Sequence, residues 1–376
     1  MKITSAKIHL LAVPPPRFYS HAKEKPEFSL TWEYPLLELT TDTGLRGHSM
    51  GRGLQGQGRA LAYTLRDVYG ARLLGVDPLR ESERLWQDLK RGNRHLYSTT
   101  DAPLGVIDTA IWDLRGKAAG LPIAALLGQY RTKVPSYATI ARQQLETPAA
   151  VVESCAAARQ AGFNAIKLQF WNGPEHDIPR LREARRAVGD SFRLMFDAAG
   201  GYNFTEALNV GHALDELGFY WFEEPIPDAQ VGRLGELRRK LRIPILATET
   251  ARIGELHTYL REGAVDLMRG DVYITAGITG LRKAMAMAEL FGVNMEIHAA
   301  GASLLDVAHL HVACAAKNCE YVELPPPALL FGLAGQPLAI GADGQLTCPT
   351  GPGLGVELDW DWINAHTVLT LEAPDA

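Results

Sequence analysis

The chain has 376 residues, 47% of them hydrophobic and 22% charged, enough to bury a sizeable core and too evenly mixed to remain disordered. A net charge of −5 provides no broad basic surface, so neither nucleic acid nor an anionic membrane is expected as a partner. The first apolar run breaks at Pro14-Pro15-Pro16, too early for a signal-peptide core, and Cys155, Cys314, Cys319 and Cys348 form no C-x-x-C pair, so reduced thiols and a cytoplasmic location are expected.

In chain order, residues 3–13 alternate like a strand, and YPLLELTTDTGLRGHSMG (34–51) reads as a hairpin turning at Asp42-Thr43-Gly44. Between them runs a long loop with Arg17, Tyr19, His21, Lys23, Lys25 and Trp32, a length that in compact domains is commonly functional and here suggests a lid. GRGLQG (51–56) matches G-x-G-x-x-G, but its strand comes from a hairpin and Asp67 falls inside the next helix, so dinucleotide binding is not expected. Helices are predicted from about Gln57 to Leu74, from an N-cap at Asp77-Pro78, and over Leu104–Ala118. Residues 1–130 therefore read as an α+β capping domain.

From Val134 the pattern becomes helix alternating with buried strand. Gly162, Gly218, Gly263 and Gly292 each end an amphipathic stretch and precede a short apolar run, the position of a left-handed helix cap. VPSYATI, AIKLQF, RLMFDA, YWFEE, ILATE, DLMRGD, NMEIH and EYVEL are eight candidate strands, enough to close a parallel barrel over residues 131–325. The remaining segment, 326–376, loses the period and is expected to return to the capping domain. The fold class is α/β: a modified TIM (β/α) barrel with an α+β N-terminal cap completed by the C-terminal tail.

Catalytic groups of such barrels lie at the C-terminal strand ends. Here those ends carry Lys167, Gln169, Asp197, Glu223, Glu249, Asp271, His298 and Glu323. Asp197, Glu223 and Glu249 follow one another at intervals of 26 residues (223 − 197 and 249 − 223), about one β/α unit. Three carboxylates in phase imply a cation between them, and all-oxygen ligation suits a hard ion such as Mg²⁺. Such an ion would leave room for a chelating substrate carboxylate and would stabilise the enediolate formed when an α-proton leaves. His298 is the candidate base, with Asp271 fixing its tautomer.

With the helix APLGVIDTAIWDLRGKAAGLPIAALLG (102–128) and the strand ends IKLQ, MFDAAG, FEEP, ATET, RGDVYITAGIT, EIHAAG and YVELP, the chain resembles the enolase superfamily, mandelate racemase subgroup, over nearly its whole length. The resemblance implies Mg²⁺ on Asp197, Glu223 and Glu249, a dyad of Asp271 and His298, Lys167 on the substrate carboxylate, and Glu323 hydrogen-bonded to the enediolate. It also implies a homo-oligomer. The chain departs from the subgroup at three points, Gln169, Ala199 and Arg269. Gln169 replaces the second Lys of a Lys-x-Lys pair and cannot exchange a proton at neutral pH, so it is expected to bind substrate. Ala199 stands where Asn is common. Arg269 replaces a Gln two residues before Asp271, where alternation would let it keep that acid ionised. Glu224 alternates away from Glu223 and reads as a supporting acid.

The expected activity is a Mg²⁺-dependent dehydratase that removes the C2 proton of a sugar acid and eliminates the C3 hydroxyl to give a 2-keto-3-deoxy acid. A racemase, epimerase or cycloisomerase acting through the same enediolate is the alternative, and a catalytically silent sugar-acid binding barrel would be expected to have lost part of the metal or dyad set. Substrate choice is assigned to Arg52, His21 and Tyr19, with Arg17, Lys23, Lys25 and His48, from the cap.

Overall fold

The computed structural model describes residues 1–13, 32–53, 57–95, 100–140, 145–299, 301–325 and 330–374. Eight parallel strands close into a barrel: β4 (Lys133–Ile140), β5 (Ala165–Gln169), β6 (Arg193–Asp197), β7 (Phe222–Glu223), β8 (Ile245–Ala247), β9 (Leu267–Gly270), β10 (Asn294–Ile297) and β11 (Val322–Leu324), with β11 pairing back onto β4. All eight predicted strands are present. The four glycines expected to cap helices have φ of 91°, 63°, 57° and 72° at Gly162, Gly218, Gly263 and Gly292, a conformation that costs a residue without Cβ nothing.

The cap is an antiparallel sheet ordered β13-β1-β2-β3, from β1 (Ile3–Val13), β2 (Trp32–Thr41), β3 (Arg46–Met50) and β13 (Thr367–Glu372). The tail thus returns to the cap as expected, but on its way β12 (Gln345–Thr347) pairs antiparallel with the first residues of β4. Gly51 and Gly53 of the G-x-G pattern serve packing: a Cβ on Gly53 would lie 2.3 Å from Glu33 O, and one on Gly51 2.4 Å from Leu61. The helix expected at Asp77 begins later, at Ser82 (Ser82–Gly92), because the Asp77 carboxylate accepts from Leu79 N at 2.9 Å and closes a turn first.

The helix Ala102–Ala119 joins cap to barrel and is buried along most of its length. Its Asp108 accepts from Thr279 N and Oγ1 at 2.8 and 2.7 Å, and Trp112 Nε1 donates to Thr279 Oγ1 at 2.9 Å. Gly105 permits backbone contact with the loop after β9, where a Cβ would sit 2.5 Å from Val272 O. One cap helix therefore fixes the loop that follows Asp271.

Candidate active site at the barrel mouth

Alternation along the strands builds the barrel interior in layers. Tyr137, Ala165, Met195, Trp221, Leu246 and Tyr321 form a buried apolar layer, with Tyr137 edge-on to Trp221 at 5.5 Å between ring centres. Two residues further along their strands, a rise of about 6.6 Å, stand Thr139, Lys167, Asp197, Glu223 and Glu323, and Arg269 follows Leu267 by the same step. An aromatic floor thus carries a charged layer.

The charged layer is almost inaccessible: Lys167, Asp197, Glu223, Arg269 and Glu323 are each at most 3% exposed. Lys167 Nζ lies 3.3 Å from Asp197 Oδ2, 3.1 Å from Glu223 Oε2 and 3.0 Å from Glu323 Oε1. Arg269 Nε donates to Glu223 Oε1 at 2.7 Å, and its Nη2 lies 3.3 Å from Glu323 Oε2. Burial and Arg269 both oppose the charge on Lys167, but the Glu223 and Glu323 carboxylates prevail and hold its pKa well above the ordinary value, so it is an ammonium and no base at neutral pH. Glu323 is held far below the usual carboxylate range despite its burial, by Lys167, then Arg269 and His298. It accepts from Thr139 Oγ1 and from Ala299 N at 3.1 Å, and as an ionised group it is an acceptor only.

Arg269 does not serve Asp271 as alternation suggested. Strand β9 ends at Gly270, so the period stops short of Asp271, and the guanidinium points to Glu223 and Glu323 instead. Gln169 likewise has its amide on a protein group, donating to Asp197 Oδ2 at 2.9 Å.

The dyad forms one strand over. His298 Nδ1 is 2.9 Å from Asp271 Oδ2, while Asp271 Oδ1 accepts from the backbone N–H groups of Tyr273 and Ile274 at 2.6 Å each. Although burial opposes it, the hydrogen bond from His298 leads the effects that hold Asp271 below its ordinary value; the nearby Arg52 contributes. Nδ1–H on the Asp side leaves His298 Nε2 as the basic nitrogen, 3.4 Å from Glu249 Oε1. Burial lowers the pKa of His298, but Glu249 and then Asp271 raise it to a net value above the ordinary one.

Five residues other than glycine take positive φ among the described residues, and every one lies in a loop after a barrel strand: Ala199 (45°), Glu224 (39°), Thr248 (89°), Ala276 (60°) and Ser303 (41°). Strain of this kind collects where surrounding structure over-determines it, commonly at functional sites. At Ala199 it explains why Asn, which tolerates the left-handed region, suits that place in the subgroup. Thr248, β-branched and the most strained, is clamped by Oγ1 to the O and N of Arg269 at 2.9 Å each and by its N–H to Asp228 Oδ1 at 2.9 Å. Its turn re-aims Glu249, since register pairs Asp197 with Glu223 but Glu223 with Leu246, three residues before Glu249. The equal intervals in sequence therefore do not correspond to equal levels in the barrel. Glu224 is buried, and its carboxyl is pushed up to about 10 by desolvation and then by Glu249 and Asp228, which leaves it a neutral supporting acid.

Thr139, Thr248 and Asp228 were not identified from sequence. Thr139 was findable, because it is in register with Lys167 on the neighbouring strand. Tyr19 and His21, with Arg17, Lys23 and Lys25, lie outside the described residues. Arg52 stands beside the dyad, near Asp271 and Tyr273. His48 is in strand β3, not in a loop, with Nε2 on Glu38 Oε2 at 3.1 Å, and is withdrawn as a substrate selector.

For a divalent cation, the donors Asp197, Glu223 and Glu249 are all hard oxygens, and Glu223 Oε2 is buried with only the Lys167 ammonium beside it, at 3.1 Å, which fits such an ion. The three are not preassembled: among the described residues no three His, Cys, Asp or Glu side chains already converge on one point, because Lys167 lies between Asp197 and Glu223 and Glu249 pairs with His298. All four cysteines are free and buried, and no helix of the described residues is long and apolar enough to cross a membrane.

Residues 150–362 match the enolase C-terminal domain-like family, and residues 29–128 match the mandelate racemase / muconate lactonizing enzyme N-terminal domain. D-galactarolactone cycloisomerase of Agrobacterium fabrum is 32% identical, covering 96% of this chain and 97% of that protein. Arabinonate dehydratase of Saccharolobus solfataricus is 32% identical over 81% of this chain and 84% of its own. The crystal structure of D-glucarate dehydratase from Agrobacterium tumefaciens complexed with magnesium matches with a TM-score of 0.85 at 29% identity, covering 98% of this chain and 100% of that one. The two family matches, together spanning cap and barrel, make this chain a member of the enolase superfamily, in its mandelate racemase subgroup.

Proposed function

We propose that the protein is a Mg²⁺-dependent acid-sugar dehydratase, which takes the C2 proton of a polyhydroxy acid and expels the C3 hydroxyl. The observation that carries this reading is the one-sidedness of the proton-transfer groups. His298, oriented through Nδ1 by Asp271 at 2.9 Å, offers Nε2 as a base, whereas Gln169 has no exchangeable proton to give and Lys167 is locked as an ammonium. Asp197, Glu223 and Glu249 would hold the ion, which when bound supplies Lewis-acid stabilisation of the charge that builds on the substrate carboxylate. The buried positive charges of Lys167 and Arg269 add to the potential that favours an anion at the mouth.

His298 takes the C2 proton and becomes imidazolium. It then returns that proton to the departing C3 oxygen, so C2–H and C3–O break, water leaves, and the enol tautomerises to the 2-keto-3-deoxy acid. One residue serving both steps favours syn elimination. A second reading, a cycloisomerase, is supported by the near-complete coverage of D-galactarolactone cycloisomerase. Incubating the enzyme and Mg²⁺ with a library of sugar acids and acid-sugar lactones separates the two: keto-acid formation with loss of water supports the dehydratase, and an isomeric product of unchanged mass overturns it.

A further inference from the structure

Arg269 is 0% exposed, and its contacts discriminate between the two oxygens of one carboxylate. Glu223 Oε1 receives Arg269 Nε at 2.7 Å and Lys167 Nζ at 3.2 Å, with Arg269 Nη2 at 2.5 Å from the same oxygen. Glu223 Oε2 has no contact with the guanidinium and only the Lys167 ammonium beside it, at 3.1 Å. The two donors, Arg269 Nε and Lys167 Nζ, match the two lone pairs of Oε1, so that oxygen has little left for a ligand. Arg269 cannot swing away, because Nη1 donates to Ile297 O at 3.3 Å and Thr248 holds its backbone from both sides at 2.9 Å.

We propose that Arg269 is a positioning residue that keeps Glu223 one-armed, so that the mouth selects a small octahedral divalent cation over calcium. This rests on the reading of Asp197, Glu223 and Glu249 as the metal ligands. Mg²⁺ is satisfied by single carboxylate oxygens and water in an octahedron, whereas Ca²⁺ takes six to eight oxygens and gains from two-armed carboxylates. With Oε1 occupied by the guanidinium, Glu223 has one oxygen to give. The same charge also offsets one carboxylate and keeps affinity for any divalent cation moderate.

Calorimetric titration of the purified protein, freed of metal, with MgCl₂ and with CaCl₂ tests this on wild type, R269K and R269Q. Wild type is expected to bind Mg²⁺ more tightly than Ca²⁺. In R269Q the ratio of Mg²⁺ to Ca²⁺ affinity should fall roughly tenfold, as the second oxygen of Glu223 becomes available to calcium. R269K, which keeps the charge but not the fork, should lie between. A wild type without preference for Mg²⁺, or an unchanged ratio in R269K, overturns the proposal. Circular dichroism checks folding, and should R269Q fail to fold, wild type and R269K decide alone. A wild type that binds neither ion overturns the metal reading itself, a result distinct from binding without selectivity.

Discussion

The two sides of the barrel mouth are built differently. On one side Lys167, Asp197, Glu223, Arg269 and Glu323 are sealed from solvent and satisfy one another, with Arg269 and Lys167 both bearing on Glu223. On the other, the His298 and Glu249 side chains keep 13% and 24% of their surface and approach each other only to 3.4 Å. Desolvated charges are expensive to leave unpaired, so the sealed side couples function to folding. The open side can lose its chemistry without losing the fold.

The largest test of that difference is Glu223→Ala. It should abolish turnover, and it should also destabilise the protein by about 3–5 kcal/mol, because two buried cations lose their shared partner. Urea denaturation reads the second effect; a midpoint equal to wild type would mean the sealed side is not the coupled network its distances suggest. His298→Asn is the counterpart on the open side. Turnover and C2-proton exchange in D₂O should fall by about 10²–10⁴-fold while the urea midpoint stays that of wild type.

A subtler measurement sharpens the assignment of the base. The neutral imidazole is the working form, and Glu249 and Asp271 raise the pKa of His298 against its burial. As pH falls, kcat/KM should therefore decline as His298 takes up a proton, and Asp271→Asn should move that acid limb to lower pH by removing one of the charges that favour the imidazolium. An acid limb absent from wild type, or unmoved in Asp271→Asn, would remove His298 from this role. The smallest effect concerns backbone strain in the exposed turn that follows Asp197. Ala199 sits at φ 45°, and Ala199→Gly should stabilise the fold by about 0.5–1 kcal/mol, the relieved strain exceeding the added chain entropy. Destabilisation would show that the chain entropy added by glycine outweighs the strain at this exposed position.

The strands were legible in sequence because a parallel strand buried on both faces is an apolar run, and here every run after the first ends near a charged or imidazole group. The dyad was legible for the same reason, Asp271 and His298 being the first polar residues past β9 and β10. What failed was phase. The interval of 26 residues between Glu223 and Glu249 matched the interval before it, yet loop and helix lengths had traded three residues, and the strained turn at Thr248 makes up the difference. Arg269 was noticed for its departure from the subgroup, but its partners lay across the barrel, a distance that local alternation cannot address. Likewise His48 lies within β3, buried against Glu38, a pairing across the hairpin that its polar type alone does not reveal.

Strand β13 pairs with β1 so that Lys7 meets Glu372 and Ile8 meets Leu371. The cap sheet therefore cannot be completed until residues 367–372 have been synthesised, by which time every barrel strand has been made. Closing the loop between β1 and β13 costs entropy that grows with its length, and non-local pairing of this kind slows folding. The edge strand of the roof is thus the part of the cap that depends on the barrel having been made. A polypeptide cut short before Thr367 would have every charged group described at the mouth but no closing edge strand for the sheet above them.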